Sequence, residues 1–351
     1  MKIVMNNIEI LDNIVIYLHR YITWILFLLG NIGNILTGVI FFKKSWKKNV
    51  CVFYFLNCLL VNFAYINTTM VGSSFTFGFQ IHSESSNVVL CKILYYVSYL
   101  LSVLLPNILI LASIDRLLIS SKNIDTRLYS SKRLAYFSIS VSTIFWIIFY
   151  IHVLIKIDVQ KIYPSGFVCY YDTSGFYFEF ISYSTLIIAV GLAFVLIILS
   201  ILAFKNVRQL QTIPRQQRNQ FRIMHKKDFQ LLCCLYIHDI VYIIFNVFVA
   251  AYYVYVATTK HHIRTPFHQT IDNFLSGFGT FIHHIPYCAS FFIFISVSKA
   301  FRQEIKRLFY KMCCKDKMSI READNRQQNI VRNNIELNVV DGIVSTIMLP
   351  T

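Results

Sequence analysis

The stretch LASIDRLLIS, residues 111–120, ends an apolar run with an adjacent acid and base, Asp115 and Arg116. Opposite charges at the edge of an apolar segment suit an ion pair that a small motion can hold or release at a water boundary. Position alone fits an ordinary flanking charge equally well, because an arginine near a helix end can snorkel to the interface and escape the cost of burial in hydrocarbon. Two further groups are chemically capable: Asp239 beside His238, and the pair His283-His284. Neighbouring residues on a helix point about 100° apart, so neither pair makes a shared metal or proton site by itself. The sequence contains no HExxH, GxSxG, GxGxxG, P-loop or CxxC pattern, so neither an enzyme, a cofactor nor a metal site is expected.

The elements that must carry these residues are legible from the gaps between charges. The uncharged windows are 21–42, 49–81, 93–114, 134–155, 180–204 and 273–298, and a further run, 229–259, holds the single charge Asp239. Each exceeds the roughly 20 residues that a helix rising about 1.5 Å per residue needs to cross about 30 Å of hydrocarbon. A β-barrel would need short segments of alternating polarity, whereas these runs are apolar on every face. The fold class predicted is an all-α membrane protein, a seven-transmembrane helix bundle over 21–298. Residues 1–20 are expected as a short extracellular N-terminus. With 56% hydrophobic and 14% charged residues, the chain is far from the soluble norm of about 25% charged.

After the last run, Phe301, Ile305, Leu308, Phe309 and Met312 fall on one helical face, with Lys299, Arg302, Lys306, Arg307 and Lys311 mainly around the remainder. This is the pattern of a short amphipathic eighth helix, 299–314, lying on a membrane surface. Cys313 and Cys314 directly after it are candidate palmitoylation sites, or two unmodified thiols. Residues 315–351 read as a polar, disordered tail.

Lysine and arginine favour the cytoplasmic side of a membrane. Alternate connections carry 26 and 7 of the 33 basic residues, which predicts an extracellular N-terminus and a cytoplasmic C-terminus. The formal charge of +16 is then topology plus attraction to anionic membrane lipids; no nucleic-acid motif accompanies it, and nucleic acid is not an expected partner. Cys91 opens the third run, 25 residues before Arg116, about 38 Å along a helix, so thiol and guanidinium mark opposite membrane faces. On the outer side the only cysteine in a connecting loop is Cys169, and an oxidising exterior allows a disulfide there.

Seven crossings with an Asp-Arg pair closing the third resemble the rhodopsin-like G-protein-coupled receptors, over about residues 21–314. The resemblance implies a plasma-membrane receptor that binds an extracellular ligand and activates a heterotrimeric G protein by helix rearrangement around Asp115, Arg116 and Leu117, the last replacing a tyrosine. It implies the Cys91–Cys169 disulfide, and it places Asn34 in the first helix and Trp146 midway along the fourth at positions the family marks. Asn62 stands where the family usually has an aspartate, and Ser290 and Phe294 stand where an asparagine and a tyrosine are usual, with Pro286 the nearest proline. No switch residue is legible in the sixth helix.

For the ligand, Ser98 stands where amine receptors of this family place an aspartate, which disfavours a monoamine. Glu84, Asp158, Asp172, Glu179 and Asp272, beside Tyr163, Tyr170, Tyr171 and Tyr177, would suit a basic peptide, although an aromatic belt at the bilayer edge explains the tyrosines as well. Ser98, Glu179 and Asp239 are the pocket candidates. Asp239 has two other readings: a protonated carboxyl bonded to a neighbouring helix, or the ionisable group of a multi-pass transporter or channel.

Overall fold

The computed structural model describes residues 2–82, 87–120, 129–162, 166–171, 176–211, 226–259 and 265–310. Its architecture is that of an all-α membrane protein. Six helices are long and apolar enough to cross a membrane: Glu9–Phe41, Val50–Gly78, Val88–Ile119, Lys132–Lys156, Glu179–Lys205 and Asp228–Val256; below they are the first to sixth spans. A seventh is reached if His268–Cys288 and Ser290–Val297, bent by 47° at their junction, count as one.

The bend has a local cause. Pro286 lies inside Pro266–Cys288; it has no N–H to give and its ring crowds the preceding turn. The Ala289 N–H bonds the Pro286 carbonyl at 3.3 Å, a tighter turn, before the Ile293 N–H restarts the helix on the Ala289 carbonyl at 3.0 Å. Pro106 sits inside Val88–Ser120. It leaves the Ser102 carbonyl without its helical donor, and the Tyr287 hydroxyl approaches that oxygen at 3.5 Å.

The first helix begins earlier than charge spacing predicts. Helix Lys2–Tyr17 runs through a wider π-type turn, Leu18–Ile22, into Thr23–Phe41, so residues 2–20 are helical and continuous with the first span. The charge that marks an end is absorbed by a neighbour, the Arg20 Nε–H donating to the Gly78 carbonyl at 2.9 Å, and His19, fully buried, donates from Nε2 to the Gly277 carbonyl at 2.9 Å. The chains approach so closely there that a Cβ on Gly78 would lie 2.8 Å from the His19 carbonyl carbon. Gly33 similarly admits the bent pair, a Cβ on it falling 2.6 Å from the Phe291 Cβ.

One departure from a purely helical fold is an antiparallel hairpin between the fourth and fifth spans, Ile157–Ile162 paired with Gly166–Tyr171, with Val159 opposite Cys169. Cys169 reaches Cys91 at disulfide distance, their Cα atoms 5.6 Å apart. The two sulfurs are buried with Tyr150, Val153 and Ile157, and Trp146 packs against this cluster. Residues 299–310 form a further short helix, in which Arg307 pairs with Glu304 at 2.8 Å. Cys313, Cys314 and residues 315–351 lie outside the described residues, as do Glu84, Tyr163 and Asp172.

Candidate functional site

Val88–Ser120 positions groups at both of its ends. At the Arg116 end, Asp115 and Arg116 are both buried, 4% and 3% exposed, so they are not solvated flanking charges. The Arg116 Nε–H donates to Asp115 Oδ2 at 3.1 Å and Nη2 bonds the same oxygen. Ser130 donates to the other oxygen, Oδ1, at 2.5 Å. Both carboxylate oxygens thus accept hydrogen bonds, as buried polar groups generally do. Leu117 follows on the same helix.

The sixth span carries the second polar group. The His238 Nδ1–H donates to the Cys234 carbonyl at 3.0 Å, one turn back. That assigns the other nitrogen as the acceptor in neutral imidazole, and Ser290 donates to Nε2 at 3.1 Å. The Asn62 amide in turn donates to the Ser290 hydroxyl at 2.9 Å. Asp239, one residue on, points elsewhere: its Oδ2 accepts from Ser113 at 3.2 Å and from Ser200 at 2.8 Å. Adjacent residues therefore bond opposite sides of the bundle, one side the second span and the bent pair, the other the third and fifth spans.

Two more links hold the same end of this helix. The Asn49 amide donates to Asp228, and Ser298 donates to Gln230 at 3.0 Å. Asn49 also caps the second span, its Oδ1 accepting from the Cys51 N–H at 2.8 Å. The start of the sixth helix is consequently tied to its neighbours by side-chain hydrogen bonds, each worth on the order of 1 kcal/mol net, rather than by covalent or metal bonds among the described residues.

Phe294 fills the space beside this network, its ring 4.9 Å from that of Phe41 and 4.8 Å from that of Phe55, both edge-on. Asn34 is buried, and neither amide atom of its side chain has a hydrogen-bond partner among the described residues.

Toward the Cys91 end lies a cavity of about 400 Å³ bounded by the second, third, fifth and sixth spans and the bent pair. Ser98 lines it and shares a hydrogen bond with Thr69 at 3.1 Å. Tyrosines, serines, threonines, Asn246 and His283 supply its polarity, and no aspartate, glutamate, lysine or arginine lines it among the described residues. His283 faces the cavity, whereas His284 turns to the second span, bonding the Tyr65 hydroxyl at 3.0 Å and the Ser73 hydroxyl at 2.7 Å.

The three pocket candidates separate. Ser98 lines this cavity. Glu179 is not among its lining residues and sits in the first turn of helix Phe176–Gln211, where a carboxylate favours the positive end of the helix dipole. Asp239 lines a second cavity of about 360 Å³ near the Arg116 end, and the two cavities share no lining residue. Sequence reasoning missed Ser113, Ser200 and Ser130. A hydroxyl in an apolar helix commonly bonds its own i−4 carbonyl, as Ser102 and Thr37 do here, so spacing alone does not show which serine serves a distant carboxylate.

No protein-family model matches the chain, and no curated protein matches it at a significant level.

Proposed function

We propose that this protein is a seven-transmembrane receptor of the rhodopsin-like kind, in which a ligand entering the cavity beside Ser98 shifts a two-state equilibrium read by a G protein at the Arg116 end. The reading counts the bent pair as the seventh crossing, the helix at 299–310 as an eighth element on the inner leaflet, and the Cys91 end as extracellular. The observation that carries it is the buried Asp115–Arg116 pair, closed by Ser130, at the far end of the same helix that lines the ligand cavity and bears Cys91.

Chemically, such a site is a latch. Arg116 paired with Asp115 is electrically quiet. Outward motion of the sixth helix exchanges the Asn49–Asp228, Ser298–Gln230, Ser290–His238 and serine–Asp239 bonds for water or a partner, a cost of a few kcal/mol in all. That is the scale on which differential ligand affinity moves an equilibrium.

The cavity lining selects an uncharged group rich in aromatic or hydroxyl character, because a ligand ammonium or carboxylate would find no counter-charge there. A basic peptide would bury an uncharged side chain in the cavity and place its cations against residues outside the lining, such as Asp158 and Asp272. The transporter reading would require a path along ionisable groups; separate cavities, and an Asp239 already bonded to two serines, favour the receptor.

The deciding measurement is recruitment of chimeric G proteins by the full chain and by Arg116→Ala, with ion flux recorded in parallel. Recruitment that disappears in Arg116→Ala, without flux, is the expected result. Flux abolished by Asp239→Asn would replace the receptor with a transporter.

A further inference from the structure

At the Arg116 end, the connection between the first two spans and the start of the fourth are joined by one hydrogen bond: the Lys132 ammonium donates to the Lys47 carbonyl at 2.8 Å. Lys47 closes the short turn Lys44–Lys47, whose last carbonyls have no helical donor. Buried Trp46 holds that turn against Phe41, their ring centroids 5.6 Å apart. One turn along the fourth span, the Tyr136 ring packs 4.2 Å from that of Phe53 on the second. The two segments are thus fixed to each other at both the polar and the apolar level.

This junction gathers cations without balancing them. Lys44, Lys47, Lys48, Lys132 and Arg133 are exposed, and none forms an ion pair among the described residues. Two carboxylates adjoin, and both are engaged: Asp228 by the Asn49 amide, and Asp115 by Arg116 and Ser130. The second and fourth spans also begin here, after the caps Asn49 and Ser131, so two helix N-termini add positive potential of their own. Like charges brought together in this way repel, and an anion from outside relieves them.

The surroundings decide what can supply that anion. Phe42, 64% exposed, immediately precedes the lysines, and exposed Leu134, Tyr136 and Phe137 follow Arg133. On two neighbouring spans, exposed apolar residues therefore give way to cations within one turn, the profile of a boundary between hydrocarbon and headgroups. A nucleic acid or an acidic protein would meet that apolar rim as well as the charge, whereas a phospholipid has chains for the one and phosphate for the other. A headgroup with a single net charge would leave most of these cations unpaired. One bearing several phosphates offers acceptors to the ammonium groups and a bidentate partner to Arg133.

We infer that the junction between the turn at 44–47 and the start of the fourth span is a binding site for a polyphosphorylated inositol phospholipid. Its phosphates lie among Lys44, Lys47, Lys48, Lys132 and Arg133, and its acyl chains along Phe42, Tyr136 and Phe137. The site rests on the membrane reading of the helices and does not depend on signalling.

The test titrates the full chain in detergent micelles with phosphatidylinositol bisphosphate and counts bound lipid by native mass spectrometry. Saturable binding is expected, with little displacement by phosphatidylserine at matched total charge or by equimolar free inositol trisphosphate. Lys48→Gln with Arg133→Gln, which leaves the Lys132–Lys47 bond in place, should weaken binding roughly 25-fold, each cation beside a lipid surface contributing about fivefold. Lys299→Gln with Lys306→Gln removes the same charge from the helix at 299–310 and should leave the affinity intact. Equal displacement by phosphatidylserine would reduce the site to general attraction, and full displacement by inositol trisphosphate would make it a site for a soluble anion; either overturns the assignment. So would equal losses in the two double variants, unchanged affinity in Lys48→Gln with Arg133→Gln, or no saturable binding at all.

Discussion

The Cys91 end and the Arg116 end of one helix use polarity in opposite ways. Around Ser98 the polar groups are neutral and spread over a cavity wall, and the disulfide with its tyrosine and tryptophan cluster holds the hairpin nearby. Around Arg116 a buried ion pair sits among hydroxyls, an amide and an imidazole, and side-chain bonds tie the sixth helix to its neighbours. A neutral wall can discriminate ligands by shape and hydrogen bonding without disturbing the fold. A paired charge in a dry setting stores a larger difference between two arrangements, since separating it is costly unless a new partner appears. Selectivity belongs to the first kind of surface and switching to the second.

The contrast breaks most readily at Arg116. Arg116→Ala leaves the Asp115 carboxylate buried without its cation, an expected loss of about 3–5 kcal/mol in thermal or denaturant unfolding. The paired change Asp115→Asn with Arg116→Gln should recover much of it while recruitment stays absent. If Arg116→Ala is no less stable than an ordinary surface substitution, the pair is solvated and the comparison fails.

At the other end, Cys91→Ser should cost about 2–4 kcal/mol, seen as a lowered Tm of the reductant-untreated protein that converges with the parent after reduction. Mass analysis finding both thiols free in the parent would remove the covalent half of the contrast. A smaller effect, about 1–3 kcal/mol, is expected for Ser290→Ala, which strips the Asn62 amide of its acceptor and His238 of its donor; Ser290→Thr, which keeps a hydroxyl, should cost less. The smallest, about 1 kcal/mol, is expected for Tyr65→Phe. It removes the hydroxyl bonded to His284 and keeps the ring stacked at 3.6 Å on Tyr287. A Tyr65→Phe loss larger than that of Ser290→Ala would invert the ranking of the two ends.

How much was readable in advance differs residue by residue. The long apolar runs were plain because hydrocarbon tolerates few charges, so charge spacing alone outlines spans. Charge spacing starts the first helix at Tyr21 because Arg20 looks like a boundary residue until the Gly78 carbonyl is seen to accept from it. Asp239 was noticed as an anomaly, yet its surroundings were not: Ser113 and Ser200 lie on other helices, 126 and 39 residues away in the chain. That Glu179 lies outside the Ser98 cavity likewise depends on helix rotation, to which charge spacing is blind.

Sequence alone determined the helical, membrane-compatible architecture, the residues able to carry charge, and the splitting of His238 from Asp239 and of His283 from His284, all consequences of helix period and of the cost of polarity in hydrocarbon. Tertiary structure decided which groups meet: Asp115 closed by Ser130, Asp239 shared between two serines with one oxygen left over, Cys91 beside Cys169, and an uncharged cavity near Ser98. These depend on how helices rotate and cross, and that is set by packing at close approaches such as Gly33 against Phe291, which no local pattern encodes.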